Sequence, residues 1–295
     1  MHTNTSKIGI SFSPYGHTYG RYGADAFAQL KQHGYAAADY NLADTDSELY
    51  RLSEPDLTIK MHAVREAARL AGITVSQVHG PWHWPPTDNT VESRRERLEK
   101  MKRAVVISSL LGCENLVIHP IMPFGTEDVT CGKAEETWDM NVAFFTNLVD
   151  FAARYDVVIC IENMPMLRFS LATPERVLAL VQAIDSDHCR VCLDTGHVAV
   201  FPDLSVGEEV RRVGRHLRVL HLHDNPGDRD AHLYPTHGVI DWADTLRALD
   251  EVGYTGVLSL ETAPPGGLAD DAFAEESVRL CQLMHNLVLQ HKSLQ

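Results

Sequence analysis

The chain has 295 residues, enough for one large domain or two small ones, and its hydrophobic (44%) and charged (22%) fractions are typical of a folded globular protein. Its formal net charge of −14 comes from Asp and Glu residues spread along the chain, which would repel a polyanion. The composition therefore argues against disorder and against nucleic acid as the expected partner.

The amino terminus and the cysteines predict in which cellular compartment the protein is located. The first residues contain no long apolar segment after a basic start, and no later apolar run reaches the length of a membrane span. Several of the six cysteines lie inside apolar runs, where a reduced thiol packs as a small hydrophobe. Cys189 and Cys192 form a CxxC pair, but no second pair completes a zinc site. These features predict a cytoplasmic protein without membrane association.

Eight short runs rich in apolar and β-branched residues are predicted to be strands. In chain order they are 7–12, 35–40, 73–80, 114–120, 157–163, 191–197, 217–224 and 256–262. They are apolar on both faces rather than alternating, which is typical of parallel strands covered by side chains on each side.

Segments with helical period separate the runs. They are 25–34, 57–72, 91–112, 137–155, 174–184, 242–253 and 272–290. Several end at a glycine just before the next strand, which is a usual helix stop signal. Positive charge is densest in 92–103 and 208–216, where interleaved glutamates indicate solvated outer helix faces rather than a nucleic-acid site.

The alternation of strand and helix predicts right-handed βαβ units and a parallel sheet. Eight units fit a closed barrel better than a doubly wound sheet, because no glycine-rich nucleotide loop follows the first strand. We predict an α/β fold, a (β/α)₈ TIM barrel, with residues 1–295 as a single domain. The loops 81–89, 121–133 and 225–241 each follow a strand, so they share one face, and their composition is typical of active-site loops.

The predicted strands end in acidic and histidine residues, which a barrel brings into a ring. These residues are His79, His119, Glu162, Asp194, His197, His221, His223 and Glu261. A single His at a strand end is more often a hydrogen-bonded structural residue than a ligand. The three carboxylates are stronger evidence, because they end apolar strands and would repel one another without a cation. Imidazole and carboxylate together suit Zn²⁺, Mn²⁺, Co²⁺ or Fe²⁺.

Five motifs occur at or just after consecutive strand ends. They are IEN (161–163), LDTGH (193–197), HLHDN (221–225), DRDAHLYPTHGVIDW (228–242) and LSLET (258–262). Together they resemble the xylose isomerase-like TIM-barrel superfamily, which contains sugar phosphate isomerase/epimerase proteins and endonuclease IV. No motif is decisive alone, but their order along the whole barrel makes the combination specific.

The resemblance to ketose 3-epimerases of this superfamily implies a divalent-metal site. Its ligands would be Glu162, Asp194, His221 and Glu261. We prefer His221 to His223 as the ligand because the family's His usually lies three residues before an acidic residue, here Asp224. His197 resembles the family's substrate-binding His, and its alternative role is to orient Asp194.

The same resemblance implies the chemistry. Glu162 and Glu261 would lie on opposite faces of one substrate carbon, and one would remove a proton while the other returns one. The reaction would pass through a metal-stabilised enediolate. An inosose-type dehydratase would begin with the same proton abstraction and is an alternative.

Endonuclease IV is the rival resemblance, because that family binds three zinc ions through nine ligands. Suitable residues stand at all nine positions, namely His79, His119, Glu162, Asp194, His197, His221, Asp230, His232 and Glu261. That family continues after strand seven with a polar stretch and a loop that meets DNA, whereas this chain is acidic at 223–230. The segment 232–242 instead resembles a loop common among sugar isomerase-like members, with His237 in place of the usual Glu.

The remaining polar and aromatic residues are predicted to contact substrate. They are His79, His119, His197, His223, Asp230, His232 and Trp82. His79 and His119 either bond sugar hydroxyls, which we favour, or bind a second metal beside Glu162. Trp82 either stacks on a sugar or packs its proline-rich loop onto the barrel.

We therefore predict an isomerase or epimerase of a small sugar, sugar phosphate or polyol-derived ketone, with one Mn, Zn, Co or Mg ion per chain. The alternatives are a tri-zinc endonuclease of abasic DNA and the dehydratase. A barrel that only binds a ligand or partner is a third reading, but it would have no physical reason to keep three acids together. Few cations besides Arg168 and Arg229 occur in the loops, which favours an unphosphorylated carbohydrate. The sequence leaves a homo-oligomer open.

Overall fold

Parallel strands form a barrel in the residues that the computed structural model describes, which are 7–13, 19–265 and 267–293. Each of the eight predicted runs contains one strand. The strands are β1 (Ile8–Phe12), β2 (Ala37–Asn41), β3 (Thr74–His79), β4 (Asn115–Ile118), β5 (Val158–Glu162), β6 (Cys189–Asp194), β7 (Leu217–His221) and β8 (Leu258–Leu260). Most of their residues are buried, which explains why the runs show no polar alternation.

The strands are hydrogen-bonded in chain order, and β1 also pairs with β8. Between β7 and β8 the barrel closes at Leu222, whose amide donates to the Ser259 carbonyl (2.8 Å) and whose carbonyl accepts from the Glu261 amide (3.0 Å). The predicted (β/α)₈ barrel is confirmed. The predictions about the amino terminus and about one domain over 1–295 include residues outside the described part, and they stay predictions.

Helices pack around the barrel. Within the described residues they are α1 (Ala26–Gln32), α2 (Glu54–Ala71), α3 (Val91–Leu111), α4 (Ala134–Ala152), α5 (Pro174–Ile184), α6 (Thr195–Ala199), α7 (Val206–Val213), α8 (Trp242–Glu251) and α9 (Asp270–Ser293). Ser53 begins α2 by accepting a hydrogen bond from the Asp56 amide, and the left-handed glycines Gly72 and Gly112 end α2 and α3. None of the described helices is both long enough and apolar enough to span a membrane.

The segment after β6 differs from the prediction. The strand expected at 191–197 ends at Asp194, and the next five residues form α6. The physical reason is a helix cap, because Asp194 Oδ1 accepts a hydrogen bond from the His197 amide at 2.6 Å. The LDTGH motif therefore joins a strand end to a helix start.

The segment 208–216, predicted to be a solvated outer helix face, is only partly exposed. The helix α7 covers the first part of this segment, and Glu209 on it is buried. Its Oε1 accepts from Arg212 Nε at 3.0 Å, so the interleaved charge includes an ion pair whose carboxylate is buried and whose guanidinium is exposed.

An apolar layer fills the barrel beneath the strand ends. It consists of Val117, Cys160, Cys192 and Val219. Two residues further along the same strands come His119, Glu162, Asp194 and His221. Because side chains alternate along a strand, this second set points into the barrel above the first. The CxxC pair is structural as predicted, since Cys189 and Cys192 are buried free thiols.

Candidate metal centre and substrate pocket

Four side chains from β5 to the end of β8 form a compact group, which we call the metal ring. Its members are Glu162, Asp194, His221 and Glu261, and each offers a ligand atom within 4.8 Å of the others. The first three are fully buried, whereas the Glu261 side chain is 17% exposed and lines the pocket. The structure thus brings together the four residues predicted to hold a metal.

His221 lies at the centre of the metal ring. Its Nδ1 is 3.1 Å from Glu162 Oε1 and 3.2 Å from Glu261 Oε2. Its Nε2 is 3.1 Å from Asp39 Oδ2, on the opposite edge of the imidazole. The two carboxylates predicted to act as acid and base therefore converge on one nitrogen atom.

The charge state of the ring suits a cation. Burial alone would raise the pKa of Glu162, but His221 and His119 hold it well below its usual value. Burial would likewise raise the pKa of Glu261, yet His221 lowers it. The Oε2 atoms of both carboxylates are buried beside imidazole nitrogens, with His119 Nε2 3.1 Å from that of Glu162 and His221 Nδ1 3.2 Å from that of Glu261. Ionised carboxylate oxygens grouped with imidazole nitrogens match the ligand set of a divalent metal.

His79 and His119 share a carboxylate with the metal ring. His79 Nδ1 donates to the Gly80 carbonyl (2.9 Å), which turns Nε2 toward Glu162 Oε2 at 3.8 Å. His119 Nε2 lies 3.1 Å from the same oxygen. Burial lowers the pKa of His119 to about 4, so this imidazole is neutral at physiological pH. The pair can either bond a substrate hydroxyl or bind a cation together with Glu162.

A further group of possible ligands lies beside the ring, and we call it the outer cluster. It consists of His197, His223, Asp230 and His232. Asp230 Oδ2 is 3.3 Å from both His197 Nε2 and His232 Nε2. His223 is fully buried, with its ring stacked at 4.0 Å on that of His232 and its Nε2 2.9 Å from Asp194 Oδ2.

Hydrogen bonds fix the outer nitrogens of this cluster. His197 Nδ1 donates to the Asn163 carbonyl (2.8 Å), and His232 Nδ1 donates to the Glu261 carbonyl (2.7 Å). Burial opposes charge on both rings, but Asp194 and Asp230 raise the pKa of His197 to about 10. Asp230 likewise raises the pKa of His232 to about 9. The neighbouring carboxylates therefore favour the charged form of both rings.

The loop that carries Asp230 and His232 is folded around Asp224. This buried carboxylate accepts hydrogen bonds from the Thr236 amide (3.0 Å) and from Trp242 Nε1 (2.9 Å). A Cβ at Gly238 would stand 2.3 Å from Asp224 Oδ1, so only glycine fits there. Asp224, the acidic residue three positions after His221, therefore has a structural role.

A pocket of about 370 Å³ opens above these groups. Its polar lining includes His79, His119, His197, Asp230, His232 and the two ring glutamates. An apolar wall faces them, formed by Trp82, Trp84, Met164 and Met166. The Trp82 ring lies 4.4 Å from that of His119, and Trp84 is 63% exposed at the rim.

No Lys or Arg is among the described residues that line the pocket. The two loop cations noted in the sequence are engaged elsewhere, since Arg168 pairs with Glu127 (3.6 Å) and Arg229 pairs with Asp228 (2.9 Å). A phosphate group in this pocket would therefore lack the cationic partner that phosphate sites usually provide.

Sequence reasoning missed two residues of the site. The first is Asp39 on β2, which lies against His221. Its signal was the acid near the end of the run YAAADY, which resembles the acids at the ends of the other strands. Asn163 bonds the Asp194 backbone on both sides, donating from Nδ2 to its carbonyl (3.1 Å) and accepting from its amide (2.8 Å). The Asn of the IEN motif was the available signal for this second contact.

Comparisons with known proteins agree with this geometry. A family model described as “Xylose isomerase-like TIM barrel” matches residues 27–281. An uncharacterised protein of Methanocaldococcus jannaschii is 31% identical over 187 residues, covering 61% of this chain and 62% of that protein's length. A D-psicose 3-epimerase of Ruminiclostridium cellulolyticum is 24% identical over 211 residues, covering 69% of this chain and 68% of the enzyme.

A solved structure has the same fold. It is described as an IOLI protein with a binding zinc atom, and it superposes with a TM-score of 0.72 at 20% sequence identity. The match covers 96% of this chain and 98% of that one. Together with the family match, it confirms the resemblance that the strand-end motifs suggested.

Proposed function

Since the chain belongs to the xylose isomerase-like TIM-barrel family, we propose that it is a divalent-metal-dependent isomerase or epimerase of a small, uncharged sugar or related hydroxy ketone. The observation that carries this proposal is the convergence of Glu162 and Glu261 on His221 Nδ1 at the floor of a pocket. The sequence similarity to a D-psicose 3-epimerase supports the same reaction class.

The metal ring would hold one divalent ion through Glu162, Asp194, His221 and Glu261. When bound, such an ion supplies a Lewis acid that makes the C–H next to a carbonyl more acidic. The zinc atom in a solved structure of the same fold supports this assignment. Mn, Zn, Co and Mg all remain within the ligand preferences of the ring.

The glutamates would carry the proton. Both have lowered pKa values and are carboxylates at neutral pH, so either can remove a proton from a carbon placed between them. If the other glutamate takes up a proton from solvent and returns it from the opposite face, that carbon is inverted and the first glutamate releases its proton to solvent. Return of the removed proton to the neighbouring carbon would instead isomerise the sugar. His119 and His197 would contact substrate oxygens, because both imidazoles line the pocket.

The pocket supports a neutral substrate. Its lining offers imidazole and carboxylate partners for hydroxyl groups and an apolar wall for the C–H face of a sugar, with Trp82 as a stacking surface. Because no described cation lines the pocket, an unphosphorylated substrate fits its charge better than a sugar phosphate.

Elemental analysis and a product screen test the proposal together. Purified protein is expected to contain one divalent metal per chain and to convert a free ketose into its epimer or aldose isomer, detected by chromatography. An inosose-type dehydratase would instead release water and yield a product lighter by one water molecule. Protein that is loaded with metal and converts no ketose in a broad panel would contradict the proposal.

A multi-metal phosphodiesterase is the second candidate. One observation favours it, namely that three groups of possible ligands adjoin one another: the metal ring, His79 and His119 with Glu162, and the outer cluster. The acidic loop at 223–230 opposes it, because a DNA phosphate would have to approach the solvent-accessible Asp228 and Asp230. Three tightly bound zinc ions per chain and cleavage of abasic DNA would favour this candidate.

The cysteines bear on location. Five of the six are buried and all six are free thiols, which supports the prediction of a reducing, cytoplasmic setting.

A further inference from the structure

Asp39 is a buried carboxylate beneath the metal ring that the proposed chemistry does not use. It lies on β2, across the barrel from β7, and is 1% exposed. Its Oδ2 is 3.1 Å from His221 Nε2. The described ion pairs of Asp39 include no Lys or Arg, and the basic side chain beside it is the His221 imidazole.

An irregularity in β3 places a partner beside Asp39. Ala38 pairs with Val75 and Asp39 with Gln77, so Ser76 of β3 is skipped and Gln77 stands opposite Asp39. Such a bulge redirects a side chain and is common beside active sites. Gln77 Nε2 donates to Asp39 Oδ2 (3.1 Å) and to the Leu220 carbonyl (3.3 Å). These hydrogen bonds hold the Asp39 carboxylate next to the His221 imidazole.

The two nitrogens of His221 have different neighbours. Nδ1 faces Glu162 and Glu261 inside the metal ring, whereas Nε2 faces Asp39 outside it. A histidine ligand must present an unprotonated nitrogen to the metal, and its other nitrogen usually donates its proton to a carboxylate or carbonyl. The arrangement around His221 provides such an acceptor.

We infer that Asp39 is a positioning residue that accepts the Nε2–H of His221 and thereby keeps Nδ1 available as the metal ligand. This inference rests on the proposed metal ring. Asp39 would not touch metal or substrate, because the imidazole stands between it and the ring carboxylates. Its negative charge would also make His221 a stronger donor to the cation.

Metal titration of an isosteric variant tests the inference. Asp39→Asn keeps the shape but removes the charge. It also replaces one carboxylate oxygen with an NH2 donor, so the amide can bond either tautomer of the imidazole. We expect its affinity for Mn²⁺ and Zn²⁺ to fall by about 10- to 100-fold, the usual effect of losing such a partner. The affinity is measured by calorimetry, and thermal unfolding in EDTA is measured in parallel.

A matched control removes a buried charge elsewhere. Asp128 is fully buried and bonds Ser170 between the loops after β4 and β5. Asp128→Asn is expected to lower the melting temperature in EDTA while leaving metal affinity within about 2-fold of wild type. Equal loss of metal affinity in both variants would overturn the inference, because general destabilisation would then explain it.

A second variant protects the test if Asp39→Asn does not fold. Gln77→Met removes the donor that orients Asp39 but keeps the charge, and we expect a several-fold loss of metal affinity. If whichever of these variants folds binds metal with wild-type affinity, the inference about Asp39 is overturned, but the proposed metal ring is not. A wild-type protein that binds no divalent metal would overturn the inference and the proposed metal ring together, so the two failures are distinguishable.

Discussion

The metal ring and the loop after β7 are built in different ways. Glu162, Asp194 and His221 are strand-end residues whose positions follow from the barrel. Asp230 and His232 belong to the loop before α8, and their side chains are 28% and 41% exposed. Barrel register fixes the first group, whereas hydrogen bonds to one buried acid fix the second. Changes in the ring should therefore affect metal and chemistry together, and changes in the loop should affect substrate binding while the metal stays bound.

The largest effect is expected within the ring. Glu261→Gln keeps the side-chain volume but removes the charge and the proton acceptor, so turnover should fall by about 1000-fold, within the range for loss of a general acid or base. Metal affinity should fall as well. Steady-state kinetics and metal titration check this, and normal turnover in the variant would refute the role of Glu261.

Metal removal should affect the stability of the whole barrel, because the ring belongs to its core. At a free metal concentration of 100 times Kd, binding stabilises the fold by about 2.7 kcal/mol, which corresponds to a melting shift of about 5 °C or more. Scanning calorimetry with and without EDTA measures the shift. An unchanged melting temperature would mean that the ring does not bind the added metal.

A loop substitution should separate the two regions. Gly238→Ala places a methyl group 2.1 Å from the Asn225 carbonyl oxygen, which must displace the loop that carries Asp230 and His232. Because substrate positioning depends on small displacements, kcat/KM should fall by about 10-fold or more, while metal affinity stays near the wild-type value. Calorimetric titration and kinetics read the two quantities.

The matched control for that variant is Gly267→Ala, since a Cβ at Gly267 meets no atom within 4 Å. It should leave both kcat/KM and metal affinity unchanged. Loss of metal affinity in Gly238→Ala alone would show that the loop also supports the ring, against the comparison drawn above.

The smallest effect is expected at the pocket wall. Trp82→Ala removes a ring that lies 4.4 Å from His119 and offers a stacking face. The loss of such a face should raise KM by about 5-fold, in line with the modest energy of one aromatic contact, with little change in kcat. A large fall in kcat would instead indicate that Trp82 holds His119 in place.

The barrel and the ring could be predicted because their signals are local. Apolar runs ending in Glu162, Asp194, His221 and Glu261 identify strands and their carboxyl ends, and eight such units identify the closed sheet. The family match at 27–281 then confirmed the resemblance carried by the same motifs.

The missed features depend on tertiary structure. Asp39 lies against His221 across the barrel, and a skipped residue in β3 sets Gln77 opposite it, which no sequence pattern reveals. The sequence does not show where β6 ends and α6 begins, because Asp194 is compatible both with a strand end and with a helix cap. The hydrogen bond from the His197 amide to the Asp194 side chain decides between the two. Burial of His223 beneath His232 likewise depends on how the loop folds back over β7.

Solvent-deuterium incorporation tests the central claim most directly. Metal-loaded protein is incubated with unphosphorylated ketoses in D₂O, and the recovered sugars are analysed by NMR. The account predicts deuterium at a carbon next to the carbonyl with wild type and none with Glu261→Gln. Ketoses recovered without deuterium, from protein whose ring is occupied by metal, would contradict proton transfer by the two glutamates.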